Sequence, residues 1–213
     1  MDERATGIIL RTRPLTETSL IVHWLTAEQG RVATVAKGAR RAKSPFRGKL
    51  DLFFEADFSF ARSRRSDLHT LREVGLRDTH SALRTELGWL QQSSYCAALI
   101  EQTTETDTPL AEKFDLFRGL LGHVTKQPPQ PLTVFAFEMK LLQLLGQAPD
   151  LAAAQLSAGA KQILGRLIEL DWPTMSRLKL SEAQTREVQQ FLHGFLIYHL
   201  GKMPAGRSAA IRI

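Results

Sequence analysis

The sequence predicts an α+β chain of two domains, a small β-barrel over residues 1–80 and an all-α helical domain over residues 81–213. Three observations predict it. Apolar residues recur at every second position in the first third and at helical spacing afterwards, the change falling between Val74 and Ala82. The first third holds five short strand-like runs joined by tight polar or Gly-bearing connectors, with no helix signal between them. A chain of 213 residues, 43 % hydrophobic and 23 % charged, is long enough to bury one large or two small cores.

The strands are expected at "TGIILRT" (6–12), "SLIVHWLT" (19–26), "RVATVA" (31–36), "LDLFFEADFSFA" (50–61) and "LHTLREV" (68–74). In the fourth, Leu50, Leu52, Phe54, Ala56, Phe58 and Phe60 share one parity, and Asp51, Glu55, Asp57 and Ser59 the other. Strict period two puts one face on a core and the other in water. Five such strands suit a small barrel. An SH3-like barrel and an OB-fold fit the spacing equally well.

Helices are expected over 84–103, 110–124, 131–145, 157–170 and 181–200. In "PLTVFAFEMKLLQLLG", Pro131 suits a first helical turn, Gly146 a C-terminal cap, and Pro149 blocks continuation. Leu132, Phe135, Ala136, Met139 and Leu142 form one stripe, and Val134, Phe137, Leu141 and Leu144 a second, so this helix is central. The last helix opens with a capping box, Ser181 to Gln184, presents Val188, Phe191, Leu192, Phe195, Leu196 and His199 on one face, and stops at Gly201. No repeat of 20 to 50 residues is visible.

The formal charge is +6 and is concentrated: residues 1–80 hold 15 Lys and Arg against 10 Asp and Glu, whereas residues 81–213 hold 13 against 12. The basic third therefore calls for a polyanion, either nucleic acid, an anionic membrane surface or an acidic tail. The single cysteine, Cys96, excludes a disulfide framework and a Cys-rich zinc site, and in "SSYCAALI" it reads as a buried thiol. The start "MDERATGIIL" lacks the basic end of a signal peptide, and no apolar run approaches the roughly 20 residues of a membrane span, so a cytosolic protein is expected.

Catalytic signatures are missing: there is no phosphate-binding G-x-x-x-x-G-K-[ST], no H-E-x-x-H, no G-x-S-x-G and no dinucleotide turn. His193 and His199 are too far round a helix to share a metal. Asp51, Glu55 and Asp57 on one strand face could hold a divalent cation, as in a metal-dependent nuclease, or act as a solvated face balancing nearby cations.

The positive signal is "VAKGARRAKSPFRGKLDLFF". Lys37, Arg40, Arg41, Lys43, Arg47 and Lys49 follow a strand without an intervening acid, are broken by Gly38, Pro45 and Gly48, and enclose Phe46. Turn residues hold such a segment at the surface, where several cations track a phosphate backbone together. Phe46 either stacks on a base or anchors the loop to the core. A second cluster, Arg62, Arg64 and Arg65, lies in the next hairpin connection, "ARSRRSD". An RNA-binding or ribosome-associated module is the alternative from these residues alone.

Residues 7–76 resemble the N-terminal domain of the RecO family of bacterial recombination mediators. The matching marks are Glu17-Thr18-Ser19 opening the second strand, Leu25-Thr26 with Gly30, Lys37-Gly38-Ala39-Arg40-Arg41, and Gly48-Lys49-Leu50. "FEMKLLQLLGQAPDL" is similar to the family's central helix with its Gly-x-x-Pro-Asp-Leu exit, and "YHLGKMPAGRS" to its ending. The resemblance implies an OB-fold followed by a helical domain, and a non-enzymatic role without a cofactor. It further implies binding to single- and double-stranded DNA and annealing of complementary single strands. The implied partners are RecR and the single-strand-binding protein, in loading RecA at gaps on the bacterial nucleoid. It also implies that the helical domain receives the partner's acidic, aromatic-ended tail, for which Lys113, Arg118, Lys140 and Arg166 are the cations beside apolar helix faces. One departure stands out: where many relatives carry a four-cysteine zinc module, residues 151–157 read "LAAAQLS", so zinc is not expected.

Overall fold

The computed structural model describes residues 2–212. Strands β1 (Asp2–Pro14), β2 (Leu20–Thr26), β3 (Arg31–Ala36), β4 (Glu55–Ala61) and β5 (Leu68–Asp78) close in the order β1-β2-β3-β5-β4, and β4 pairs back onto β1. Every ladder is antiparallel except β3–β5, which is parallel. This order and the one parallel pairing are those of the OB-fold, which resolves the choice that strand spacing left open.

Alternation explains the barrel's interior. Val22 and Trp24 of β2, Val32 and Ala36 of β3, and Ala56, Phe58 and Phe60 of β4 fill it. Trp24 and Phe58 stack at 4.1 Å, worth about 1 kcal/mol beyond area burial. The buried indole N–H of Trp24 donates to Thr34 Oγ1 at 2.9 Å, so its burial leaves no donor unpaired.

Two strand expectations are corrected. β4 begins at Glu55, because Phe53 takes a left-handed backbone (φ 64°) that breaks the pleat, and residues 50–54 form turns. Leu50 and Phe54 still pack on the core, so the parity holds beyond the strand, but Leu52 is left half-exposed. Glu55 and Ser59 are buried and not solvated. Ser59 lies between Arg4 of β1 and Glu73 of β5.

The first compact unit takes in the chain up to Ser81 and also Thr104–Asp115. In that returning segment Thr106 bridges to Arg31, and the Leu110 N–H donates to the Ala27 carbonyl at 2.8 Å. Gly30 (φ +68°) is required here, since a Cβ would run into the Thr108 carbonyl.

The second unit is helical: α1 (Leu87–Thr103), α2 (Ala111–Val124, apart from its opening residues), α3 (Pro131–Leu144), α4 (Ala158–Glu169), α5 (Trp172–Met175), α6 (Glu182–Leu200) and α7 (Arg207–Ile211). α3 is central, buried on both stripes from Leu132 to Leu142. Pro131 opens it, and the Gly146 and Gln147 N–H groups close it by donating to the Gln143 and Leu142 carbonyls. The Ser181–Gln184 capping box opens α6. Val188, Leu192 and Leu196 are its buried residues, whereas Phe191 and Phe195 are half-exposed and His199 is exposed. α5 and α7 are too short to show a period.

A buried ionic cluster was not legible beforehand. Glu138 of α3 accepts from Arg207 Nε at 2.6 Å, from Arg207 Nη2 at 2.9 Å and from the Tyr95 hydroxyl at 2.7 Å. All three residues are buried. Losing one partner of such a pair costs about 3–5 kcal/mol, because the other charge is left in a low dielectric.

Candidate nucleic-acid interface

The connection from β3 to β4 carries the basic loop. After Ala36 the chain makes successive turns: Arg41 N–H donates to the Gly38 carbonyl (3.0 Å), Ser44 to Arg41 (3.1 Å), Arg47 to Ser44 (3.2 Å) and Lys49 to Phe46 (3.0 Å). Gly38 (φ 67°) and Gly48 (φ 72°) supply the left-handed positions these turns need. The Arg40 N–H donates to the Thr18 carbonyl at 2.9 Å and ties the loop to the β1–β2 connection. Phe46, 7 % exposed, sits in the barrel core with Ala39 and Leu50 packed nearby. Of the two roles left open for Phe46, burial favours anchoring, with the ring pinning the loop.

The loop's cations differ from Arg62, Arg72 and Arg77 elsewhere on the barrel. The side-chain charges of Lys37, Arg41 and Lys43 have no hydrogen-bond or ion-pair partner among the described residues. Arg40 and Arg47 reach only main-chain carbonyls, Thr16 at 3.4 Å and Ala42 at 3.2 Å. All five are exposed. Lys49 is half-buried and donates to the Val74 carbonyl at 3.1 Å, so its ammonium is already engaged by the barrel.

Three other cations of the barrel, Arg62, Arg72 and Arg77, are answered by acids. Arg77 bonds Asp57 at 2.8 Å, and Thr6 donates to the same carboxylate at 2.6 Å; Arg77 first and Thr6 second hold Asp57 below the usual carboxylate range. Arg72 faces Asp2 at 3.8 Å. Arg62 is clamped by Glu3 and by Asp107, each at 2.7 Å, and hydrogen bonding to both raises its pKa. Its guanidinium fastens the returning segment to the barrel and is neutralised there. Arg64 and Arg65 are exposed.

The two basic clusters lie apart. β3 and β5 run parallel with Ala33 beside Leu68 and Val35 beside Thr70, so the Arg62–Arg65 connection adjoins the start of β3 and the main loop leaves its end. At about 3.3 Å per residue, the strand separates them by roughly 20 Å.

Sequence reasoning missed two cations of β1 and one that opens β3. Arg11, Arg13 and Arg31 surround half-buried His23, and burial first, then these three charges, push its pKa down to about 4. The signal was available in "RTR", whose alternate residues share a strand face.

The four cations proposed for a partner tail are divided between the two units. Lys113 belongs to the first unit, and Arg118, Lys140 and Arg166 to the second. Lys140 is corrected to a helix cap: its ammonium donates to the Ile168 (2.9 Å) and Leu170 (2.6 Å) carbonyls at the end of α4, and burial lowers its pKa. A different feature has the expected character. Arg186 and His193 of α6 with Met203, Pro204, Ile211 and Arg212 line an open groove of about 980 Å³ that contains no acidic residue.

Asp51, Glu55 and Asp57 do not converge. Asp51 precedes β4 in a turn, Glu55 is buried, and Asp57 is committed to Arg77 and Thr6. Among the described residues no group of three His, Cys, Asp or Glu could hold a metal ion. Residues 151–157 do not fit a zinc module, since they hold no Cys, His, Asp or Glu, and the preceding Asp150 accepts from the Ala152 and Ala153 N–H groups. Cys96 is buried, and burial pushes its thiol pKa well up. No described helix is long and apolar enough to cross a membrane.

Comparison with known proteins agrees with this arrangement. Residues 1–80 match the family model described as Recombination protein O N terminal, and residues 92–153 the one described as Recombination protein O C terminal. A DNA repair protein RecO of Anaeromyxobacter dehalogenans is 29 % identical over 96 % of this chain and 94 % of its own length. Those of Rhodopirellula baltica and Idiomarina loihiensis are each 35 % identical, over 67 % and 70 % of this chain and 53 % and 62 % of their own lengths. On two domain matches and these relatives, the chain belongs to the RecO family.

Proposed function

We propose that this chain is a non-enzymatic DNA-binding mediator of recombinational repair that holds single strands by their phosphates and anneals complementary ones. One observation carries the reading: five exposed cations, Lys37, Arg40, Arg41, Lys43 and Arg47, stand without a carboxylate partner on a loop pinned by Phe46 and a chain of main-chain hydrogen bonds. A cluster of that sign repels itself within one Debye length, about 8 Å at physiological salt, and a polyanion relieves the repulsion. Because the loop is already ordered, little conformational entropy is lost on binding. Cations that grip backbone and leave base edges free suit annealing, and the same contacts serve duplex DNA.

The partners proposed on family grounds are RecR, the single-strand-binding protein and, through them, RecA. The acidic tail of the single-strand-binding protein is proposed to enter the Arg186–Arg212 groove, where apolar Met203, Pro204 and Ile211 would meet its terminal aromatic. The test is the rate at which complementary strands coated with the cognate single-strand-binding protein anneal, with and without this chain. Acceleration is expected. An unchanged rate, or stronger binding to structured RNA than to single-stranded DNA, would overturn the reading.

A further inference from the structure

Inside the basic loop is a cup of about 390 Å³, lined by Arg40, Arg41 and Arg47 above Leu20, Ala42 and Leu50. Its size lies at the small end of ligand sites, roughly 300–1,000 Å³, with room for a single planar base and its sugar. Leu20, Ala39 and Leu50 pack against the core cluster, so the floor is the apolar end of the barrel interior. Three of its lining residues are arginines, and none of the three has a carboxylate partner. Apolar surface below and delocalised cations at the sides complement the face of a nucleobase, which stacks on guanidinium planes as it does on aromatic rings.

A site for phosphates alone needs no apolar floor. Resting on the proposed function and deepening it, we infer that this cup receives one unstacked base of a single strand against the faces of its guanidiniums, whose N–H edges, with Lys37 and Lys43, hold the neighbouring phosphates. Phe46, only 7 % exposed, also lines the cup as part of its apolar floor, and the arginines supply the stacking planes. The cup's lining contains no acidic side chain, so no carboxylate there reads the donor edge of a base such as the cytosine N4 amino group. Bases in a duplex are already stacked and paired, and extracting one costs a few kcal/mol, so the cup favours single strands and unpaired ends.

The experiment compares binding of the full chain to an oligothymidylate and to an abasic strand of the same length and charge, across a salt series. The abasic strand is expected to bind on the order of tenfold more weakly, with the same logarithmic salt slope. Ala42→Leu fills the cup without removing a cation; it is expected to lower oligothymidylate affinity to the abasic level and leave abasic binding unchanged. Equal affinity for the two strands, with the slope intact, overturns the base site and leaves the phosphate reading standing. Absence of a salt slope on either strand overturns the phosphate reading itself.

Discussion

Replacing Phe46 separates anchoring from stacking. Its ring is 7 % exposed and belongs to the barrel core, so Phe46→Ala deletes a buried aromatic and costs about 3–5 kcal/mol of stability, whereas Phe46→Leu keeps most of the apolar volume and costs roughly 1–2 kcal/mol. The effect on DNA should follow the loop's order, not the ring's π-face. Phe46→Leu should bind single-stranded DNA within about twofold of the unaltered chain, since a cation array on an intact loop keeps its Coulombic attraction. Phe46→Ala should lose affinity together with a fall in thermal midpoint. A stacking role gives the opposite pattern, because losing one base–aromatic stack costs about 1–3 kcal/mol, or about five- to 150-fold in affinity, with no need of a stability change. Fluorescence anisotropy with a labelled oligonucleotide, alongside thermal unfolding of each variant, measures both. A Phe46→Leu protein with an unchanged midpoint and a fivefold or greater loss of affinity would refute the anchoring argument.

Two further predictions concern groups away from the loop. Glu138→Gln should lower the helical unit's stability by about 3–5 kcal/mol, a fall of roughly 10 °C in midpoint, because Arg207 keeps a buried charge without its counter-charge. The double replacement Glu138→Leu with Arg207→Leu should recover much of that, and thermal scans showing the two costs simply adding would count against the cluster. His23, with a folded pKa of about 4 against 6.5 unfolded, is protonated first in the unfolded chain. The stability it contributes is complete above pH 6.5 and is lost as pH falls toward 4, by up to on the order of 2 kcal/mol after screening at this half-buried site. In denaturant titrations His23→Gln should flatten the pH dependence in that window, and an identical slope in both proteins would contradict the assignment.

The fold was legible where one period governs many residues. β3 and the capped helices α3 and α6 fall within a residue or so of expectation, because alternation, Pro131, Gly146 and the Ser181–Gln184 box act locally. What stayed hidden depends on distant partners. The Phe53 conformation that shortens β4 is held by main-chain bonds with β1, from its own N–H to the Ile9 carbonyl and from the Ile9 N–H to the Phe54 carbonyl. The return of residues 104–115 to the barrel depends on Gly30 and Arg62, far back in the chain. The site divides in the same way. Composition located the loop's cations, but only three-dimensional pairing separates the free Arg41 from the clamped Arg62 and the engaged Lys49 and Lys140.

The central claim, that the β3–β4 loop holds DNA by its phosphates, is tested most directly by the salt dependence of single-strand binding before and after Lys37, Arg40 and Arg41 are replaced by alanine together. If five loop cations each displace a counterion, the logarithmic slope of the unaltered chain is about −3.5, and affinity falls about 130-fold between 50 and 200 mM salt. The triple variant should show a slope near −1.4 and a fall of only about sevenfold, equally for unrelated sequences. A folded triple variant with the slope of the unaltered chain would contradict the account.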